Sequence, residues 1–226
     1  MSAFLYCLAP RARYVALILL LSLGCTRFYP PHKERADTSP PPVYDTPDLT
    51  PRWASAAELA SEPPRAFPEF ALQDQAGHPF TRRDLEQHIV VASFFYSRCS
   101  ELCPRLRSAM AQVRAAFPGD PRLLLVSHSV TPASDPVPAL AAYAKENGID
   151  ANGWRLLTGP AETIQRLERQ GYLVPRPRSD QGPALHSEML VLLDRRQRVR
   201  GVYNGTLRTE IQFLERDIGL LEAESP

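Results

Sequence analysis

Residues 89–95, Ile-Val-Val-Ala-Ser-Phe-Phe, form an apolar run broken only by Ser93, and four residues later comes Cys99-Ser-Glu-Leu-Cys103-Pro104. A valine- and phenylalanine-rich run of this length reads as a strand covered on both faces, since a half-exposed strand would alternate. It is the strongest buried-strand candidate in the chain. Helical spacing through Leu102, Leu106, Met110 and Val113 then predicts a helix over 102–117, so the cysteine pair stands where a buried strand hands over to a helix.

The flanking pattern sets the fold class. Ahead of the run, 67–72 reads as a short strand, Asp74 to Gly77 as a turn and 78–81 as a return strand. After it come a strand at 123–129, a helix at 137–147, a brief strand at 155–157, a helix at 161–170 and a hairpin of 189–194 with 199–203. The last helix carries Ile211, Leu214, Ile218 and Leu221 on one face, with Thr206 as its expected N-cap. Strands alternating with helices, followed by a hairpin and a closing helix, predict an α/β sandwich of the thioredoxin-like kind, with an added N-terminal hairpin and a C-terminal hairpin and helix. There is no internal repeat.

The N-terminal quarter reads differently. Arg11 and Arg13 precede an apolar stretch from Val15 to Leu23 that meets Gly24 and Cys25, which is signal-peptide anatomy. The stretch is about half the roughly 20 residues of a membrane-spanning helix, and no second one follows, so a multi-span protein is excluded. Gly24-Cys25 resembles a bacterial lipoprotein signal, although Ser22 stands where that motif prefers a branched aliphatic residue. Cys25 is therefore a lipidation candidate, and an uncleaved anchor or a simple cleaved signal is the alternative. The expected location is the bacterial cell envelope, at the periplasmic face of a membrane. From residue 26 to residue 64 the chain is proline-rich, without sustained periodicity, and is expected to be a disordered tether apart from a short helix within 53–60. The folded domain is expected over 65–226. With 26 basic against 25 acidic residues and a net charge of +1, there is no global field for nucleic acid.

Of four cysteines, Cys7 and Cys25 belong to the leader, leaving Cys99 and Cys103. At the start of a helix, residues four apart share a face, so two sulfurs can converge on one metal ion or close a disulfide. A helix N-terminus and neighbouring Arg98, Arg105 and Arg107 favour thiolate over thiol. Three readings stay open on spacing alone: a metal site, a redox dithiol and a static disulfide. Two thiolates make an incomplete soft-metal site, and copper commonly recruits imidazole as well. Of the five histidines, His32 lies in the tether and His78 and His88 in polar connections. His128 follows a buried strand, while His186 ends the irregular stretch 175–185 and opens the hairpin; spacing favours His186 only slightly.

Several blocks in order decide more. Phe70-Ala71-Leu72-Gln73-Asp74-Gln75-Ala76-Gly77, Phe94 to Cys99 with Cys103-Pro104, Trp154 to Gly159, and Leu185-His186-Ser187 with Leu190 to Asp194 together resemble the Sco/SenC family of copper-binding thioredoxin-like proteins. The resemblance implies Cys99, Cys103 and His186 as ligands of Cu(I) or Cu(II). It also implies a copper-accepting subunit of a haem copper oxidase as partner. The chain departs from the family at 131–137, where an expected first acid is missing before Asp135-Pro136, at Glu101, where aspartate is frequent, and at Gln197, where the hairpin turn usually has glycine.

Two functions fit. The first is a metallochaperone, a binding module that supports assembly of the oxidase's dinuclear copper centre. The second is a thiol:disulfide oxidoreductase that keeps the client's cysteines reduced, with Cys99 attacking and Cys103 resolving through a Cys99–Cys103 disulfide. Either would draw on a copper donor or a thiol reductant. Against a general oxidoreductase stand the missing Cys-x-x-Cys spacing and the missing tryptophan before Cys99.

Overall fold

The computed structural model describes residues 39–63, 65–174 and 188–224. Cys7, Cys25, His32 and His186 lie outside the described residues, as does the expected leader.

A helix α1 (Ala56–Ser61) precedes the hairpin β1 (Ala71–Gln73) and β2 (Pro79–Thr81). Then follow β3 (Ile89–Phe95), α2 (Leu102–Ala116), β4 (Leu123–Ser129), α3 (Val137–Glu146), β5 (Trp154–Leu157), α4 (Ala161–Arg166), β6 (Met189–Leu193), β7 (Val199–Asn204) and α5 (Arg208–Ala223). The main sheet runs β5-β4-β3-β6-β7, with β3 parallel to β4 and antiparallel to β6. Every residue of β3 and β4 is buried, as the unbroken apolar runs require of central strands.

The two-residue period of β3 divides the core. Ile89, Val91 and Phe95 pack with α2, α3 and α5 through Leu106, Met110, Leu140, Leu214 and Ile218. Val90, Ala92 and Phe94 pack on the other face with Phe70, Leu72 and Phe80 of the hairpin region and with Ile164, Leu167 and Tyr172. The hairpin turn forms as expected: the Asp74 carboxylate accepts the N–H groups of Ala76 and His78, each at 2.9 Å, and Arg155 clamps it from β5 at 2.9 Å.

Three expectations are corrected. Thr206 does not cap α5; its hydroxyl donates to Asn204 Oδ1 at 2.7 Å, and Leu207 takes the cap position without a side-chain bond. The helix expected over 161–170 is α-helical only to Arg166 and widens into a π turn over Leu167–Gly171, where Tyr172 N–H reaches back to the Leu167 carbonyl.

The third correction concerns the tether. Residues 39–63 are not a free leash but a strap on the β6–β7 hairpin. Val43 is buried, Tyr44 N–H donates to Val199 O at 2.9 Å, and Val43 bridges Arg52. Buried Arg200 donates to the carbonyls of Pro41 and Pro42 and pairs with Glu224 and Asp194. Arg198 and Arg196 both donate to Leu59 O at 2.8 Å. Proline carbonyls remain strong acceptors although proline has no N–H, so a row of hairpin arginines fixes a segment that lacks periodicity of its own. In the hairpin turn, Gln197 adopts φ +61° without being glycine; its Nε2 donates to Arg82 O at 3.2 Å, which offsets part of the left-handed backbone cost.

Candidate metal centre

β3 ends at Phe95, and the segment Tyr96 to Glu101 crosses to α2 above the face of the sheet that carries α2, α3 and α5. Cys103 lies in the first turn of α2 and is buried; Cys99 lies before the helix and is partly exposed. Their proximity is therefore not the shared face of one helix, as spacing suggested. Instead, Cys103 N–H donates to Cys99 Sγ at 3.2 Å, so the Cys99 sulfur takes a capping place that Glu101, the N-cap residue, leaves unused. Pro104, in the first turn, needs no N–H partner there. In the structure Cys99 and Cys103 are both free cysteines.

The two sulfurs differ chemically. Burial alone would raise the Cys99 pKa, but hydrogen bonds from the Cys103 side chain, the N–H groups of Cys103 and Glu101, and Tyr96 outweigh it and lower the pKa. Burial, reinforced by the bond to Cys99, pushes Cys103 up to about 12. Cys99 is thus the sulfur that ionises first, and Cys103 holds its proton until a partner takes it.

A buried carboxylate anchors the loop from behind. Asp135 accepts Ser97 N–H at 3.2 Å, Ser97 Oγ at 2.5 Å, Ser129 Oγ at 2.6 Å and Thr131 Oγ1 at 3.1 Å. Sequence reasoning treated 131–137 only as a departure and missed this role. The available signal was a lone acid before proline, preceded by Ser129 and Thr131 at the end of a buried strand. Tyr96, bonded to the Cys99 sulfur, was likewise overlooked.

The histidines separate. His128 is fully buried, but on the opposite face of the sheet, stacked on Phe94 and 2.9 Å from the Tyr172 hydroxyl. Burial pulls its pKa down to about 3, so it is neutral there. Its place in β4, beside Phe94 in register, decides this, because Phe95 and Ser129 face the cysteines' side. His88 bonds the Glu86 carbonyl at 3.0 Å and His78 lies exposed beside Asp74. Among the described residues, no three His, Cys, Asp or Glu side chains form a metal-binding group.

The chain leading into β6 returns to the same end of the sheet. β3 and β6 are antiparallel with Ala92 opposite Val191, so the first residues of β6 stand at the end of β3 from which the cysteine loop leaves. Glu188 accepts Gly205 N–H at 2.7 Å. A Cβ on Gly205 would come within 2.5 Å of Leu106, one turn beyond Cys103, so this end of the hairpin lies directly on the cysteine helix.

The SCO1/SenC family model matches residues 59–217, more than two thirds of the chain. This chain belongs to the SCO1/SenC family. Among SCO1/SenC relatives, the SCO1 protein homologue of Bacillus subtilis is 22% identical over 153 residues, 66% of this chain and 79% of that one. The crystal structure of a SCO1/SenC family lipoprotein from Bacillus anthracis superposes with a TM-score of 0.61 at 27% identity, covering 69% of this chain and 94% of that one. A structure of Bradyrhizobium japonicum ScoI with copper bound gives a TM-score of 0.55 at 22% identity, covering 69% and 98%. These superpositions establish the thioredoxin-like fold of this SCO1/SenC chain. The chain spans about half the length of other curated relatives, 51% of one from Stutzerimonas stutzeri and 45% of the mitochondrial SCO2 homologue of Danio rerio.

Proposed function

We propose that this chain is a copper metallochaperone that holds copper through the sulfurs of Cys99 and Cys103 and the imidazole of His186, and supports assembly of the dinuclear copper centre of a haem copper oxidase. The observation that carries the reading is the sulfur pair itself, an accessible, readily ionised Cys99 bonded to Cys103 in a loop fixed by Asp135. Two adjacent soft donors suit Cu(I), and an added imidazole nitrogen accommodates Cu(II). His186 stands three residues before Met189, and the β3–β6 register that starts β6 beside the cysteine loop supports it as the third ligand. The copper-bound ScoI structure and the structure of BsSco, described as a member of the Sco family of cytochrome c oxidase assembly proteins, support the cargo and the client. The lipoprotein relative supports a lipid anchor at Cys25 and a place in the cell envelope.

Metal release requires that ligands exchange one at a time, and the unequal sulfurs suit this. Protonation favours Cys103 over Cys99, so an incoming client thiolate would displace Cys103 first. Anaerobic Cu(I) titration of the reduced protein tests the reading. One tight equivalent is expected in the wild type and none in Cys99→Ala or Cys103→Ala; equal binding by these variants would refute it.

The same inequality favours one second reading, thiol reduction of the client. There, Cys99 thiolate attacks a client disulfide and expels one client thiolate. Cys103 then loses its proton, attacks the Cys99 sulfur and expels the second client thiol, leaving a Cys99–Cys103 disulfide. A protein that binds no copper but reduces a client disulfide stoichiometrically would support this reading in place of the first.

A further inference from the structure

Arginines outside the cysteine loop are mostly engaged. Arg52, Arg82, Arg122, Arg155, Arg198, Arg200 and Arg216 each pair with a carboxylate. Arg65, Arg114, Arg166, Arg195 and Arg196 donate to backbone carbonyls. The cysteine segment differs. Arg98 immediately precedes Cys99, Arg105 and Arg107 follow Cys103, and among the described residues none of the three pairs with a carboxylate. Arg98 and Arg105 are exposed, whereas Arg107 is half-buried and bonded to Tyr143. Glu101 is the single acid of this segment, and the nearby carboxylate of Asp135 is buried behind the loop with four donors of its own. Residues 98–107 therefore carry three arginines against one acid in a chain of near-zero net charge, with exposed Glu188 the further acid at this end of the sheet.

We infer that Arg98 and Arg105 form a docking rim that selects a protein partner presenting its thiols within an acidic surface. The inference rests on the proposed exchange with a client's cysteines and specifies that client's surface. Unpaired surface arginines at a reaction site raise the encounter rate with anionic partners and disfavour cationic ones. A thiol-bearing protein suits this rim better than an anionic membrane because Arg98 and Arg105 adjoin the two sulfurs that would exchange with it, whereas the strap is bound at the far end of the sheet. Tyr44 bonds Val199, and Arg196 and Arg198 of the β6–β7 turn hold α1. Val199 and that turn lie at the end of the sheet where β3 begins, since Val90 is opposite Leu193. The cysteines lie at the other end, about 20 Å away along the seven residues of β3.

The test uses three synthetic octapeptides, each with one cysteine activated as a 2-pyridyl disulfide and flanked by four glutamates, four lysines or four serines. Cys99 thiolate attacks the peptide sulfur and releases pyridine-2-thione, which is read by absorbance. Cys103 then displaces the peptide thiol, and the protein ends as a disulfide after giving two electrons to the peptide disulfide. Dividing each rate by that of the serine peptide removes any change in the reactivity of Cys99 itself. At about 10 mM salt, where the Debye length is about 30 Å, the glutamate peptide is expected to react about tenfold or more faster than the lysine peptide. At about 1 M salt, with a Debye length of about 3 Å, the ratio should fall towards one. The double variant R98E/R105E, checked for an unchanged melting temperature, should reverse the preference. A ratio near one in the wild type at low salt, or one that the double variant leaves intact, overturns the inference. Binding to phosphatidylglycerol vesicles that requires Arg98 and Arg105, without peptide selectivity, also overturns it, in favour of a membrane surface. Charge selectivity in a protein that fails to bind copper would leave the rim standing and remove the copper reading, so the two fail separately.

Discussion

His128 makes the stability of this fold fall steeply with acid. Its ring is fully buried between Phe94 and Tyr172, Nδ1 has no hydrogen-bond partner, and burial lowers its pKa from 6.5 to about 3. Because the folded pKa is the depressed one, the unfolded chain takes up the proton first. Stability attached to His128 is complete above pH 6.5 and is lost as pH falls from 6.5 towards 3. Each pH unit in that window costs about 1.4 kcal/mol, so moving from pH 7.5 to 4.5 removes about 2.5 kcal/mol through this residue alone, a large share of a typical 5–15 kcal/mol. Carboxylates also titrate there, so the comparison needs His128→Gln, which keeps a hydrogen-bonding partner for the Tyr172 hydroxyl and does not titrate. Urea unfolding followed by far-ultraviolet circular dichroism at both pH values gives the four free energies. The wild type should lose about 2–3 kcal/mol more than the variant on acidification. Equal losses in the two proteins would show that His128 is protonated in the fold, and the neutral assignment would be wrong.

Other expectations follow from the same geometry. In mild alkali, iodoacetamide should modify Cys99 rapidly in the folded protein and Cys103 only on unfolding, because the Cys99 pKa is lowered while that of Cys103 is pushed up to about 12; mass spectrometry of digests reads the two sites, and equal labelling would contradict the asymmetry. Asp135→Ala should lower stability by about 2–4 kcal/mol, since it strands the buried hydroxyl of Ser129 and the donors of Ser97 and Thr131; a melting temperature within 1–2 °C of wild type would count against Asp135 as the loop's anchor. Arg200→Met breaks a fully buried guanidinium's bonds to Glu224, Asp194 and the strap carbonyls, at a cost of about 3 kcal/mol. It should also expose Arg52 to trypsin in brief digests, and a strap that stays protected would mean that Val43 and Tyr44 suffice to hold it.

The sheet was legible because hydrophobic runs carry their own period. Residues 89–95 and 123–129, predicted as buried strands, are buried throughout, and Ile211, Leu214, Ile218 and Leu221 form the buried face of α5. What pattern reading missed depends on partners remote in sequence. The strap at 39–63 is apolar nowhere for long, and its order comes from Arg196, Arg198 and Arg200 more than 130 residues away. Thr206 looked like a cap, but Asn204, two residues earlier, takes its hydroxyl. At the site, the cysteine pair stood out, yet its local geometry is a capping bond across the helix start rather than a shared helix face. The side of the sheet that buries His128 was not readable without knowing that Phe94 is its neighbour in register.

The most direct test of the account is Cu(II) electron paramagnetic resonance on the wild type and on His186→Ala, Cys99→Ala and Cys103→Ala, each after one equivalent of copper. One bound Cu(II) with sulfur and nitrogen signatures is expected in the wild type. Both cysteine variants should lose the bound signal, and His186→Ala should bind more weakly without the imidazole nitrogen signature. A His186→Ala protein that keeps stoichiometric Cu(II) with an unchanged spectrum would contradict the ligand set, and copper binding that survives loss of Cys99 and Cys103 would contradict the site.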